Sequence, residues 1–72
     1  MSRLPFVRPR EVCRVLEKVG FSLARQRGSH AQFKKANLLV TVPMHSGDLQ
    51  PDTLRSILRQ AKMTAEEMKA LL

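Results

Sequence analysis

The sequence predicts an α+β fold, a two-layer sandwich of order α-β-β-β-α-α in which helices cover one face of a three-stranded antiparallel sheet. Three observations carry this prediction. Apolar residues recur at helical spacing near both ends of the chain. Between them, three short runs alternate with a period of two. The links between those runs are only a few residues long, so adjacent antiparallel pairing is the natural topology.

Residues 1–7 read as an arm, and a helix follows over about 9–19. Pro9 suits a first helical turn, where its missing N–H costs nothing. Val12, Val15, Leu16 and Val19 form one apolar stripe at i, i+3, i+4 and i+7. Val7 is placed to staple onto Val12. Arg8 is a poor cap, so fraying is expected at that end. Gly20 fits the left-handed stop position.

The period then changes. Phe21 and Leu23 alternate with Ser22 and Ala24, which marks a strand over about 21–26. Arg27-Gly28-Ser29 is a turn signal. Ala31 and Phe33 alternate with His30, Gln32 and Lys34, giving a second strand over about 30–34. Lys35-Ala36-Asn37 is a short hairpin link, with Asn37 the expected residue at positive φ. Leu38 to Val42 is a third, β-branched strand, ended by Pro43.

Met44 to Gln50 is a loop. Pro51 opens a second helix over about 51–61, with Leu54, Ile57, Leu58 and Ala61 as its stripe. Thr64 and Glu67 make a capping box for a third helix over about 65–72, flanked by Met63 and Met68 as a staple. Met68, Leu71 and Leu72 are expected on its buried side.

The helical stripes need an apolar partner, and one sheet face is the only large one. Ala31 and Phe33 therefore face the helices. By the two-residue period, His30, Gln32 and Lys34 face solvent.

A chain of 72 residues is expected to form one domain, 1–72, with a modest core. Its single cysteine, Cys13, rules out an internal disulfide and reads as a partly buried small hydrophobe. His30 and His45 lack ligands at metal spacing, so no metal or other cofactor is expected. No apolar run reaches membrane-spanning length, and the N-terminus lacks the apolar stretch of a secretory signal. A soluble cytoplasmic protein is the expectation.

Charge narrows the function. The net charge is +7, and residues 1–35 carry all of it, with nine basic and two acidic side chains. Residues 36–72 hold four of each. Such a field attracts polyanions, of which nucleic acid is the commonest.

His30 is the candidate chemical group. It follows a Gly-Ser turn on the expected open face, with Arg25 and Arg27 before it and Lys34 and Lys35 after it. An imidazole can take or give a proton, and neighbouring cations attract phosphate. These are the parts needed to cleave RNA through its own 2′-hydroxyl. One histidine is not a constellation, however, and spacing alone leaves an ordinary surface residue as the commoner reading. His45 is a second acid, base or phosphate contact, or it braces its loop by bonding to backbone; the loop role is favoured. A nucleophilic serine needs a base and an orienting third group, and no Gly-x-Ser-x-Gly elbow is present, so turn chemistry explains Ser29 better. The helices after Thr53 are too nearly neutral for a DNA-reading motif.

Four segments carry a resemblance: Glu11 to Phe21 (EVCRVLEKVGF), Gly28-Ser29-His30, Val40 to Leu49 (VTVPMHSGDL) and Leu54 to Ala61 (LRSILRQA). In this order and spacing the chain resembles the HicA family of toxin–antitoxin modules. The resemblance implies a fold similar to double-stranded-RNA-binding domains. It implies metal-independent endoribonuclease activity on messenger RNA, with His30 at the position of the family's catalytic histidine. It also implies a partner, a HicB-type antitoxin that covers the active site. Arg25, Arg27, Ser29, Lys34, Lys35 and His45 are the candidate RNA or phosphate contacts around it. A monomer is expected when the chain is free. The shorter hairpin at Lys35-Ala36-Asn37 and Lys62 in place of glycine depart from the pattern of many relatives, and Ala31 after His30 stands where some relatives have a second polar residue; a left-handed Lys62 costs about 1 kcal/mol, or the second helix ends differently. A noncatalytic RNA-binding module of similar fold is the alternative, and a pure protein-interaction module a third reading that the charge disfavours.

Overall fold

A computed structural model describes residues 4–72. Residues 1–3 of the expected arm lie outside the described residues. The elements run α1 (Pro9–Lys18), β1 (Ser22–Arg27), β2 (His30–Lys35), β3 (Leu38–Pro43), α2 (Pro51–Ala61) and α3 (Ala65–Leu71). The strands form one antiparallel sheet in the order β1-β2-β3, with the helices on one face. This is the α+β sandwich that the sequence predicts.

The helix stripes and the inner face of β2 and β3 make the core. Val12, Val15 and Leu16 of α1 meet Ala31, Phe33, Val40 and Val42 from the sheet and Leu54, Ile57, Leu58 and Ala61 from α2. No polar or charged residue is buried among the described residues. Burying an apolar side chain of this size contributes about 1.5–3 kcal/mol, so core packing is the main stabilising term. Among the described residues, no helix is long and apolar enough to cross a membrane.

The start of α1 is better secured than its cap residue suggests. Arginine has no side-chain acceptor, but Glu11 Oε1 accepts from the Arg8 backbone N–H at 2.9 Å. Val7 is buried, and its carbonyl accepts from Leu49 N–H at 2.8 Å. The arm is thus tied to the loop before α2. At the other end, Gly20 takes φ +103°, which lets Phe21 N–H reach back to Leu16 O at 2.9 Å.

Three turn and terminus details depart from the sequence pattern. Asn37 was the expected residue at positive φ, but Ala36 holds it, at +52°. The reason is register: Lys35 pairs with Leu38, leaving a two-residue loop whose first position is residue 36. Positive φ at that first position is the hairpin solution that matches strand twist. Leu72 was expected on the buried side of α3 but is half exposed, because the helix ends at Leu71 and Met68 alone is fully buried there. Leu23 shares a face with Phe33 yet is 51% exposed. All six residues of β1 are exposed, since that strand lies beyond the cover of the helices.

Lys62 is left-handed, at φ 56° and ψ 44°, and Met63 N–H closes α2 onto Leu58 O. Thr64 and Glu67 form both halves of the capping box, at 3.1 and 2.8 Å. On the outer edge of β3, Gln60 Oε1 accepts from Thr41 N–H at 3.0 Å. That contact from α2 satisfies an edge donor that could otherwise pair with another chain.

Candidate functional site

The open face of the sheet is built by register. Directly opposed residues of antiparallel strands share a face. His30 stands opposite Arg27 on β1 and Pro43 on β3. Gln32 stands between Arg25 and Thr41, and Lys34 between Ser22 and Leu39. Because Ala31 and Phe33 are buried, this set points away from the helices.

A bulge at Ala24 makes the arrangement possible. Leu23 pairs with Phe33, but the next pair is Arg25 with Gln32, so Ala24 is unmatched. Without it, the two-residue period would put Arg25 and Arg27 on the same side as Leu23, toward the helices. With it, both arginines join His30 on the solvent side. The alternation in the sequence carries no sign of this extra residue.

The turn between β1 and β2 fixes where His30 starts. Gly28 takes φ +53° and Ser29 does not, which matches a two-residue hairpin turn with glycine first. The Ser29 carbonyl accepts from Met44 N–H, tying this turn to the loop after β3. Ser29 therefore serves through its backbone. His30 is exposed and its ring has no hydrogen-bond partner among the described residues. Its imidazole is open to a ligand, with one guanidinium across the ladder and Lys34 about 13 Å along the same strand face, four residues on.

The other candidates separate. Lys35 points to the helix side, where Nζ donates to Val19 O at 2.6 Å and lies 5.8 Å from the centre of the Phe21 ring. It caps α1 and covers Phe21, so the structure does not bring it to His30. His45 Nδ1 lies 3.0 Å from Ser46 O, the loop-bracing contact favoured from sequence. His45 also lines a cleft of about 440 Å³ with Arg8, Arg10, Gln26, Ser46 and Gly47. Gln26 pairs with the buried Ala31, so this cleft opens on the helix side of the sheet end. Arg8 and Arg10 are not among the contacts expected from the sequence. The signal available was the Arg8-Pro9-Arg10 run at a helix start.

Cys13 is half-buried, and its thiol donates to Met44 Sδ at 3.6 Å. Burial, with the Glu17 carboxylate adding to it, raises the thiol above its ordinary pKa. That describes an inert packing group rather than a nucleophile. Among the described residues, no three His, Cys, Asp or Glu side chains converge as metal ligands would.

This arrangement can hold a phosphodiester against a basic strand face and present it to one imidazole. A family model described as the HicA toxin of bacterial toxin–antitoxin systems matches residues 9–63. The match spans α1, the whole sheet and α2. No curated protein matches the chain.

Proposed function

The chain belongs to the HicA toxin family of bacterial toxin–antitoxin systems, and from that premise we propose that it is an endoribonuclease with His30 as its general acid–base group. A toxin role follows from the family. The observation that supports His30 is its placement: an exposed imidazole, unpartnered among the described residues, on the open sheet face directly opposite Arg27.

In the proposed reaction the 2′-hydroxyl of RNA attacks the adjacent phosphorus. The O2′–P bond forms and the P–O5′ bond breaks. His30 accepts the 2′ proton and returns it to solvent; the 5′ oxygen leaves with a proton drawn from solvent. The products are a 2′,3′-cyclic phosphate and a 5′-hydroxyl end. Arg27, with Arg25 next along the face, stabilises the charge that gathers on the phosphoryl oxygens, and Lys34 holds a phosphate farther along the bound strand. The chemistry needs a base and cations and no bound metal. Messenger RNA is the proposed substrate. A HicB-type antitoxin is the proposed partner, covering the same basic face with an acidic surface.

The test is gel analysis of a single-stranded RNA incubated with the protein and with His30→Ala, both in excess EDTA. Cleavage by the native protein alone supports the proposal. Equal cleavage by a folded His30→Ala variant overturns the assignment of His30. RNA binding with no cleavage by either protein points instead to a noncatalytic RNA-binding module.

A further inference from the structure

Phe6 is 88% exposed, while the residues on both sides of it are held. Leu4 packs against the core, and Val7 is buried and hydrogen-bonded to Leu49. The arm is therefore anchored, yet it presents a bare aromatic ring to solvent. The other two aromatic residues, Phe21 and Phe33, are buried. Two residues after Phe6, within about 7 Å of backbone, the chain reaches Arg8 and the cleft. Arg8 and Arg10 line it, and neither guanidinium has a carboxylate partner among the described residues. The nearest acid in sequence, Glu11, turns its carboxylate to the Arg8 backbone N–H. No acidic side chain lines the cleft.

We propose that Phe6 and this cleft form a subsite for single-stranded RNA, with an unpaired base stacked on Phe6 and its phosphate held between Arg8 and Arg10. The proposal rests on the RNA-cleaving reading above and extends the bound strand beyond the His30 face. An exposed aromatic next to free cations is the combination that binds single strands: every base has a π face, and the groove tracks the backbone. In a duplex the bases are stacked on one another and offer Phe6 nothing. An acidic protein segment would use the arginines and leave the ring without a role. Single-stranded RNA is thus the occupant that uses both features.

The test measures binding of a fluorescein-labelled single-stranded oligoribonucleotide by anisotropy, in a His30→Ala background so that the strand stays intact. Phe6→Ala is expected to weaken binding by at least about fivefold, the lower range for loss of one stacked base. Phe6→Trp restores it. Arg8→Gln and Arg10→Gln each lower the slope of log affinity against log salt, and the double variant lowers it by about 0.7, as expected for one single-strand phosphate. Circular dichroism melts check that the variants stay folded. Unchanged affinity in all these variants, with the parent still binding RNA, overturns the subsite alone. Equal weakening on duplex and single strand also overturns it. Loss of antitoxin binding with RNA binding intact assigns the surface to the protein partner and overturns it as well. A parent that neither binds nor cuts RNA overturns the ribonuclease reading itself.

Discussion

Arg27 and His30 face each other across the β1–β2 ladder, and the pairing depends on one unmatched residue, Ala24. Upstream of Ala24 the strand follows the phase of Phe21, whose ring is buried. Downstream it follows the phase set by the Gly28-Ser29 turn, which puts Arg25 and Arg27 outside. The bulge reconciles two demands that a regular strand cannot meet together.

Deleting Ala24 therefore forces a choice. Either Phe21 leaves the core or the arginines turn toward the helices. Both outcomes are costly, and the loss of one buried aromatic alone is worth about 3 kcal/mol. The expected result is a clear drop in the urea midpoint of the deletion variant. Replacing Ala24 by Ser keeps the extra residue and is expected to leave the midpoint close to that of the native chain. A deletion variant as stable as the native chain would show that the bulge does not set the phase of β1.

Arg27→Ala is expected to lower the rate of RNA cleavage by about tenfold to a hundredfold without changing stability. The side chain is exposed, so its removal leaves no cavity. The range is somewhat below that for losing a donor from an enclosed oxyanion site, because solvent weakens an exposed charge. Rates and thermal melts measured on the same preparation check both halves. A variant that cuts at the native rate would remove Arg27 from the site.

Much of the fold was legible because its signals are local. The stripe Val12-Val15-Leu16 and the stripe Leu54-Ile57-Leu58-Ala61 announce helices, and the Thr64–Glu67 box announces the start of the third. The alternation through His30 to Lys34 is enough to place His30 on the open face. What the sequence hid are effects of pairing and distance. The bulge at Ala24 appears only when β1 is laid against β2. Positive φ fell on Ala36 rather than Asn37 because the partner strand set the register. The cleft joins residues from α1, β1 and the loop after β3, and no local pattern connects them.

Ala36 and Lys62 both hold left-handed backbone that glycine would adopt without a Cβ clash. Ala36→Gly and Lys62→Gly are each expected to raise stability by about 1 kcal/mol, less what glycine costs in the unfolded chain. The two sites share no partner and are expected to add. Urea midpoints of the two single variants and the double variant check this. A decrease at either position would mean that the side chain contributes more than the strain removes.

The raised pKa of Cys13 predicts how fast it is alkylated. The reactive form is the thiolate. A thiol held above its ordinary value has less thiolate at neutral pH, so iodoacetamide should modify the folded protein more slowly than the urea-unfolded chain. The difference should narrow as pH rises through the folded-state value. The sign for stability follows: the unfolded thiol ionises first, so this group's contribution to stability is full below the unfolded value and lost as pH rises through the folded one. Rates measured by mass spectrometry across an alkaline pH series check the order. Faster labelling of the folded form would contradict burial as the cause.

Lys34 and Lys35 are neighbours in sequence and opposites in role, which gives a sharp comparison. Lys34 points to the open face with His30, while Lys35 bonds to Val19 O and covers the Phe21 ring. Lys34→Ala is expected to weaken RNA binding, and to reduce its salt dependence, with little effect on melting. Lys35→Ala is expected to do the reverse, costing about 1 kcal/mol through the lost helix-end bond and ring contact. Part of its stabilising effect is packing, since the stem also lies against Gly20, 3.3 Å from where a Cβ would sit. Lys35→Met should therefore recover some stability while lacking the charge. Salt-dependent RNA binding and urea denaturation of the three variants separate the two lysines. If Lys35→Ala lost RNA affinity as steeply as Lys34→Ala with an unchanged midpoint, the assignment of the two faces would be wrong.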